Sequence, residues 1–238
     1  MSAPADGSDR NFEAPDLIEV MEEAVRYNRF LVGSIADWSE GASRLLDFGA
    51  GNGRFARAMA ERGHRVFAVE PDPALRRSIA AAGVEARESL DAFDPALRFD
   101  GIYSVNVLEH VEDDASLVRA FRERLVPGGR LYAYVPAFQV LYSANDARVG
   151  HVRRYGRRAL LALARDAGFV DVRARFVDSL GFPAGLWYRW FGNEDGGLDV
   201  GAVRLYDRLV FPVSRALDRI AQRFVGKNLL LTARRPRQ

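Results

Sequence analysis

The sequence predicts an α/β protein in which a mostly parallel sheet carries helices on both faces. Three observations support this. The apolar run Leu45–Phe48 ends in glycines at Gly49, Gly51 and Gly53 and passes straight into the helical pattern FARAMAER. A second unit repeats the plan: Arg65–Val69 (RVFAV) stops at Glu70 and Pro71 before another helix. Further apolar runs alternate with helical stretches as far as Pro136, and such alternation implies parallel pairing through crossovers.

Taken in order, residues 1–15 are small and polar and are expected to form a flexible arm. From Asp16 the apolar positions Leu17, Val20, Met21, Ala24, Tyr27, Leu31 and Ile35 recur at helical spacing between Glu19, Glu22 and Glu23, which gives a leading amphipathic helix over residues 16–40. That helix packs on the sheet, or brings Tyr27 over a ligand. After the glycine turn, His64 falls in an exposed turn. Pro73–Ala82 is the next helix and Val84–Arg87 a third strand, with Ser89 and Leu90 in the loop at its end. Phe99–Val105 is a fourth strand that runs into Asn106, Val107, Leu108, Glu109 and His110 and a capped helix to Leu125; Pro127, Gly128 and Gly129 stop that helix. Arg130–Val135 is the fifth strand.

The alternation then loosens. Residues 136–156 form a long polar connection carrying Asn145, Asp146, His151, Arg153, Arg154 and Tyr155, and connections of this length are usually functional or disordered. Helix Arg157–Ala167 and strand Val170–Val177 follow. Residues 180–226 read as an insertion or lid, rich in aromatics (Phe182, Trp187, Tyr188, Trp190, Phe191) up to a flexible GNEDGG. Its second part, Arg204–Phe224, is an amphipathic helix kinked at Pro212. Leu205, Leu209, Val213, Leu217, Ile220 and Phe224 share one side and arginines the other. Packing of the apolar side on the domain is the first expectation, with a dimer contact or a membrane-surface attachment as alternatives. Asn228–Ala233 closes the sheet, and the RRPRQ tail is expected to be loose.

At 238 residues the chain can bury one full core, so residues 16–238 are read as one domain. There is no cysteine, which removes disulfides, thiolate metal sites and thiol nucleophiles. The net charge of +2 does not argue for nucleic acid, and Lys227 is the only lysine among many arginines, a bias that a GC-rich genome explains. The first residues lack an apolar leader core, and no later stretch approaches the roughly 20 apolar residues of a membrane span. The expected location is cytoplasmic.

The glycine turn admits φ > 0 and lets a ligand touch the backbone, because a side chain there would block either. The following helix start offers N–H donors and partial positive charge. An acid at the end of the second strand, about 20 residues on, is where a doubly wound fold accepts both hydroxyl protons of a ribose. The dinucleotide fingerprint G-x-G-x-x-G is not met, since Arg54 stands where the third glycine belongs.

LLDFGAGNGRFA, AVEPD, FDGIYSVNVLEHVEDD and LVPGGRLYAYVP, in this order over Leu45–Pro136, resemble the class I S-adenosylmethionine-dependent methyltransferases, in the group that includes small-molecule and lipid-quinone methyltransferases. The resemblance implies a Rossmann-like, seven-stranded, mostly parallel sheet with an antiparallel last strand. It makes residues 45–136 the cofactor-binding core, with S-adenosyl-L-methionine as cofactor and S-adenosyl-L-homocysteine as product. It places the backbone around Gly49 and Gly51 against the methionine part, Glu70 at the ribose hydroxyls, Ser89 and Leu90 beside the adenine and the strand-four end near Asn106 at the methionine amine, with Asp47, Ala50, Gly53, Pro71 and Val107 as further cofactor-binding residues.

The loop of residues 136–156 resembles the histidine-bearing loop of quinone-biosynthesis O-methyltransferases, which makes His151 the candidate general base; orienting the substrate or tying down the loop are its other possible roles. Arg153 and Arg154 are candidate donors to a substrate carboxylate or phosphate, and Tyr27, His110, Tyr155 and Trp187 are candidate acceptor contacts. No metal ligand is assigned. The expected partner is a small-molecule acceptor, methylated on oxygen in preference to nitrogen, in a monomer or homodimer. No nucleic-acid partner is expected, since the Asn/Asp-Pro-Pro-aromatic signature is absent. A lipid-linked or cell-envelope acceptor at the membrane surface is one alternative. A cofactor-binding partner protein without turnover is another.

Overall fold

The computed structural model describes residues 20–191 and 199–237; the arm at 1–15, the start of the leading helix and the GNEDGG turn lie outside them. One sheet holds β1 (Arg44–Phe48), β2 (Arg65–Val69), β3 (Glu85–Arg87), β4 (Phe99–Val105), β5 (Leu125–Pro136), β6 (Val170–Val177) and β7 (Asn228–Arg234). Their order is β3-β2-β1-β4-β5-β7-β6. β1 to β5 pair in parallel, and β7 runs antiparallel between β5 and β6. The chain moves outward from β1 to β3 and then returns to lay β4 beside β1. That reversal opens a crevice at the carboxyl ends of β1 and β4, where doubly wound sheets bind ligands.

The helices are α1 (Val25–Ser39), α2 (Arg54–Ala60), α3 (Pro73–Ala81), α4 (Asp114–Arg124), α5 (Ala144–Arg148), α6 (Arg157–Asp166), α7 (Gly181–Phe191), α8 (Val200–Leu205) and α9 (Phe211–Ala221). Alternation along β5 divides the core between the two faces of the sheet. Leu131, Ala133 and Val135 join Phe121, Leu160 and Phe169 on one face. Tyr132 and Tyr134 join Leu31, Ile35, Met59 and Ile79 on the other. The RRPRQ tail is tied down where looseness was expected. Arg235 N–H donates to Gly129 O at 2.8 Å, and its guanidinium bonds the Arg122, Glu123 and Leu125 carbonyls, satisfying acceptors that a helix end leaves open. His64 is likewise engaged, 2.9 Å from Ala42 O and 3.3 Å from Ser39 Oγ.

The helix over Arg204–Phe224 departs from expectation in the face it buries. A π-helical turn, Tyr206–Val210, joins α8 to α9, and Pro212 follows directly in the first turn of α9. The polarity of the helix is inverted. Asp207, Phe211, Ser214 and Asp218 face inward and are buried, while Leu205, Leu209, Val213, Leu217, Ile220 and Phe224 are 45–78% exposed.

The reason lies in the donors it meets. Ala24 gives α1 no side-chain cap, and Asp207 accepts the N–H groups of Arg26 and Tyr27 instead, both at 2.8 Å. Asp218 accepts those of Asp178 (3.0 Å) and Ser179 (2.9 Å) just ahead of α7. Carboxylates satisfy unpaired donors well in such positions. Asp218→Ala is therefore expected to lower stability by about 2–4 kcal/mol in urea unfolding, since it strands buried backbone N–H groups. Leu217→Ala on the outer face should change it by less than about 0.5 kcal/mol.

Candidate active site

The crevice begins at the glycine turn. Gly49, Gly51 and Gly53 have φ of +76°, +55° and +77°. Gly49 and Ala50 N–H groups both donate to Val69 O, at 2.9 and 3.0 Å, which folds the turn onto the end of β2. A Cβ on Gly49 would stand 2.3 Å from Val107 Cγ2, so glycine is required for the ends of β1 and β4 to approach. Glu70 closes the turn by accepting Gly51 N–H at 2.7 Å and Asp72 N–H at 3.0 Å. Burial raises its pKa against those two bonds. Each carboxylate oxygen keeps acceptor capacity.

Asp47 lies beneath the turn, 1% exposed, with no hydrogen-bond partner for Oδ2. It stands opposite Tyr103 in the β1–β4 register. Burial pushes its carboxyl up to about 8, so it is mostly protonated at neutral pH. At the end of β4, Asn106 holds φ +54°, a strained conformation for a residue with a side chain, and donates its N–H to Tyr134 O at 2.8 Å. Asn106 and Tyr134 flank the Tyr27 phenol, whose pKa burial drives up. Tyr27 packs edge-on against Tyr134 and Phe211, with centroids 6.2 and 5.4 Å away. Pro71 and Ser89 are exposed, and Leu90 turns into the core.

The loop after β5 builds a second cluster. Ser143 and Asp146 form a capping box at α5, which brings the Asp146 carboxylate to His151 Nδ1 (2.7 Å). Arg154 grips the same carboxylate through Nε (2.8 Å) and Nη2 (2.9 Å). Burial opposes ionisation of Asp146, yet the bonds from His151 and Arg154 prevail and hold it well below the usual carboxylate range. An ionised Asp146 only accepts, so His151 Nδ1 donates to it and Nε2 is the ring nitrogen turned the other way. Nε2 faces Glu109 Oε1 at 3.7 Å. Glu109 is fully buried with neither carboxyl oxygen hydrogen-bonded, and burial pushes it up to about 8. His110 stands edge-on to His151, centroids 4.6 Å apart, and burial together with the nearby His151 lowers it to about 4. Glu109, His110 and His151 offer ligand atoms within 4.8 Å of one another, a set able to take a divalent cation although the sequence reading assigned no metal.

Other sequence candidates are committed to the protein. Arg153 Nη1 pairs with Asp114 at 2.8 Å, and the Tyr155 hydroxyl bonds Asp114 at 2.7 Å. Both dock the loop onto the start of α4. Arg154 is held by Asp146, and Trp187 is exposed on α7. Lys227 is the residue that sequence reasoning missed. Its N–H donates to Asp178 O and its carbonyl accepts from Ala137 N–H, each backbone bond within 2.9 Å, so it stands at the carboxyl end of β5. Its side chain is open to solvent, yet surrounding protein desolvates the ammonium and lowers its pKa; Asp178, Arg154 and Asp146 are the charges it feels. Being the only lysine was the visible signal, but composition does not say which way it points.

A family model described as a methyltransferase domain matches residues 20–174. The chain belongs to the class I S-adenosylmethionine-dependent methyltransferases. Among curated proteins it is similar to the ubiquinone biosynthesis O-methyltransferases of Xylella fastidiosa strain 9a5c, at 38% identity over 100 residues, and of Xanthomonas oryzae pv. oryzae strain PXO99A, at 31% over 99. The matches span 38% of this chain and about 40% of those relatives. Among solved structures, a methyltransferase of Thermotoga maritima described as a possible histamine N-methyltransferase superposes with TM-score 0.63 at 14% identity, covering 94% of this chain and 96% of that one. One from Archaeoglobus fulgidus gives 0.58 at 15%, covering 87% and 94%. At these identities the likeness is one of fold.

Asp47 makes this methyltransferase sensitive to pH. From about pH 4 to about pH 8 the unfolded chain has released the Asp47 proton and the folded one retains it. The folded state therefore binds more protons, and stability falls as pH rises through that window and levels off above it. Asp47→Asn should flatten this decline in thermal unfolding of the ligand-free protein. An unchanged slope would place the effect elsewhere.

Proposed function

We propose that this methyltransferase acts on a hydroxyl of a small-molecule acceptor, with His151 removing the hydroxyl proton. The 2.7 Å contact between His151 and the buried, arginine-clamped Asp146 carries this reading. It orients the ring and fixes the tautomer, as an acceptor that must lose a proton requires. The partial match to O-methyltransferases agrees with it.

S-adenosylmethionine, when bound, supplies an electrophilic methyl group. The residues present fit that cofactor: the Gly49–Gly53 turn carries no bulky side chain at its glycines, and Glu70 retains acceptor capacity for ribose hydroxyls. Asn106 turns out at the end of β4, where the methionine amine is expected, and Asp47 supports the turn from below. Tyr27 and Tyr134 wall the acceptor side and exclude water, and holding the acceptor in line can contribute ~7–11 kcal/mol. Lys227 supplies a cation at the cleft for an acidic or phenolate-bearing acceptor. Lys227→Met should raise the acceptor KM about tenfold while kcat changes little, the pattern of lost binding common to ground and transition states.

A second reading uses the same residues with a divalent cation held by Glu109, His110 and His151. The two unbonded oxygens of buried Glu109 favour it, since such groups call for a partner, and Asp146 behind His151 suits a metal-bound imidazole. With a panel of phenols as acceptors, His151→Ala should lower kcat by about 10²–10⁴-fold and leave calorimetric affinity for S-adenosylhomocysteine unchanged. Full activity would end the role of His151. Activity that survives exhaustive chelation supports the base, whereas activity lost to the chelator and restored by a divalent metal salt supports the cation.

A further inference from the structure

We propose that the outer face of α8 and α9 seats on an anionic phospholipid bilayer. Leu205, Leu209, Val213, Leu217, Ile220 and Phe224 form an exposed stripe about 30 Å long at 1.5 Å per residue. Among the described residues no helix is long and apolar enough to cross a membrane. The stripe therefore lies in the interface plane and does not span it.

Charge selects the occupant. The acids between Val200 and Phe224 are Asp207 and Asp218, and both point inward onto backbone N–H groups. The outer rim is left with Arg208, Arg219 and Arg223, all exposed. Beside the stripe, Arg175, Arg215 and Arg219 line a cleft open to solvent in which Arg215 pairs with Asp218 at 2.6 Å, leaving an excess of positive charge. A second copy packed stripe to stripe would set these arginine rims against each other, whereas anionic headgroups complement them. The face is also the outside of the cleft wall, because Tyr206, between α8 and α9, bonds Asp178 at 2.6 Å next to Lys227.

The test is flotation of the full chain with vesicles of phosphatidylcholine alone and of phosphatidylcholine mixed with phosphatidylglycerol. Wild type should float with the mixed vesicles at least about tenfold more than with the neutral ones, and lose this in high salt. Leu209→Asp with Leu217→Asp should abolish flotation with an unchanged thermal midpoint, and Arg219→Ala with Arg223→Ala should remove the preference for the anionic lipid. Absence of flotation with either vesicle overturns the proposal, as does equal flotation with both. A dimer in light scattering that Leu217→Asp dissociates would also overturn it and assign the face to a second copy. The vesicle readout is independent of methyl transfer, so its failure would leave the proposed reaction standing.

Discussion

Asp207 and Asp218 each take a pair of backbone N–H groups near a helix start, and the placement of the whole region between β6 and β7 depends on those contacts. A buried carboxylate without donors is costly, while one that receives several hydrogen bonds is anchored. The helix therefore turns toward the protein the side that can meet this demand and leaves its leucines outside. Asp178 extends the arrangement. It accepts from Tyr206 at 2.6 Å and Ser214 at 2.7 Å, and holds φ +64°, a strain that the surrounding bonds sustain. A wall made this way is polar inside and apolar outside, the reverse of an ordinary surface helix.

The same demand separates structural from chemical acids elsewhere in the molecule. Asp146 is saturated with donors, remains ionised and serves as a fixed point for His151. Asp47 and Glu109 are just as buried but lack partners for carboxyl oxygens, and burial raises both toward neutrality. Both lie at the carboxyl ends of the central strands, one under the glycine turn and one facing the histidine pair. Unsatisfied buried groups concentrated at one end of a sheet indicate a site that a ligand completes.

How much of this was legible depends on how local the cause is. The β1 turn, Glu70 and the alternation of strands with helices could be read because glycines with positive φ, a strand-end acid and alternating patterns are encoded within some thirty residues. The Asp207 contact joins residues about 180 apart, and periodicity tells which side chains share a face without telling which face is inside. Arg153, Arg154 and Tyr155 illustrate the same limit. Their chemistry suits an anionic substrate, but Asp114 and Asp146 reach them first, and no spacing rule reports that competition.

The inverted helix also decides what the outside of the wall presents. Some 30 Å of leucine, valine and isoleucine stays exposed along it. On its inner side the Tyr206 hydroxyl bonds the buried Asp178 carboxylate, whose own backbone carbonyl accepts the Lys227 N–H. Both of the helix's own acids bond backbone N–H groups, and Asp218 also pairs with Arg215 at 2.6 Å, so Arg208, Arg219 and Arg223 are left on the outer rim. The polarity that satisfies α1 and the start of α7 is thus the same polarity that leaves the leucine stripe outside, so one pair of carboxylates fixes both faces of the wall.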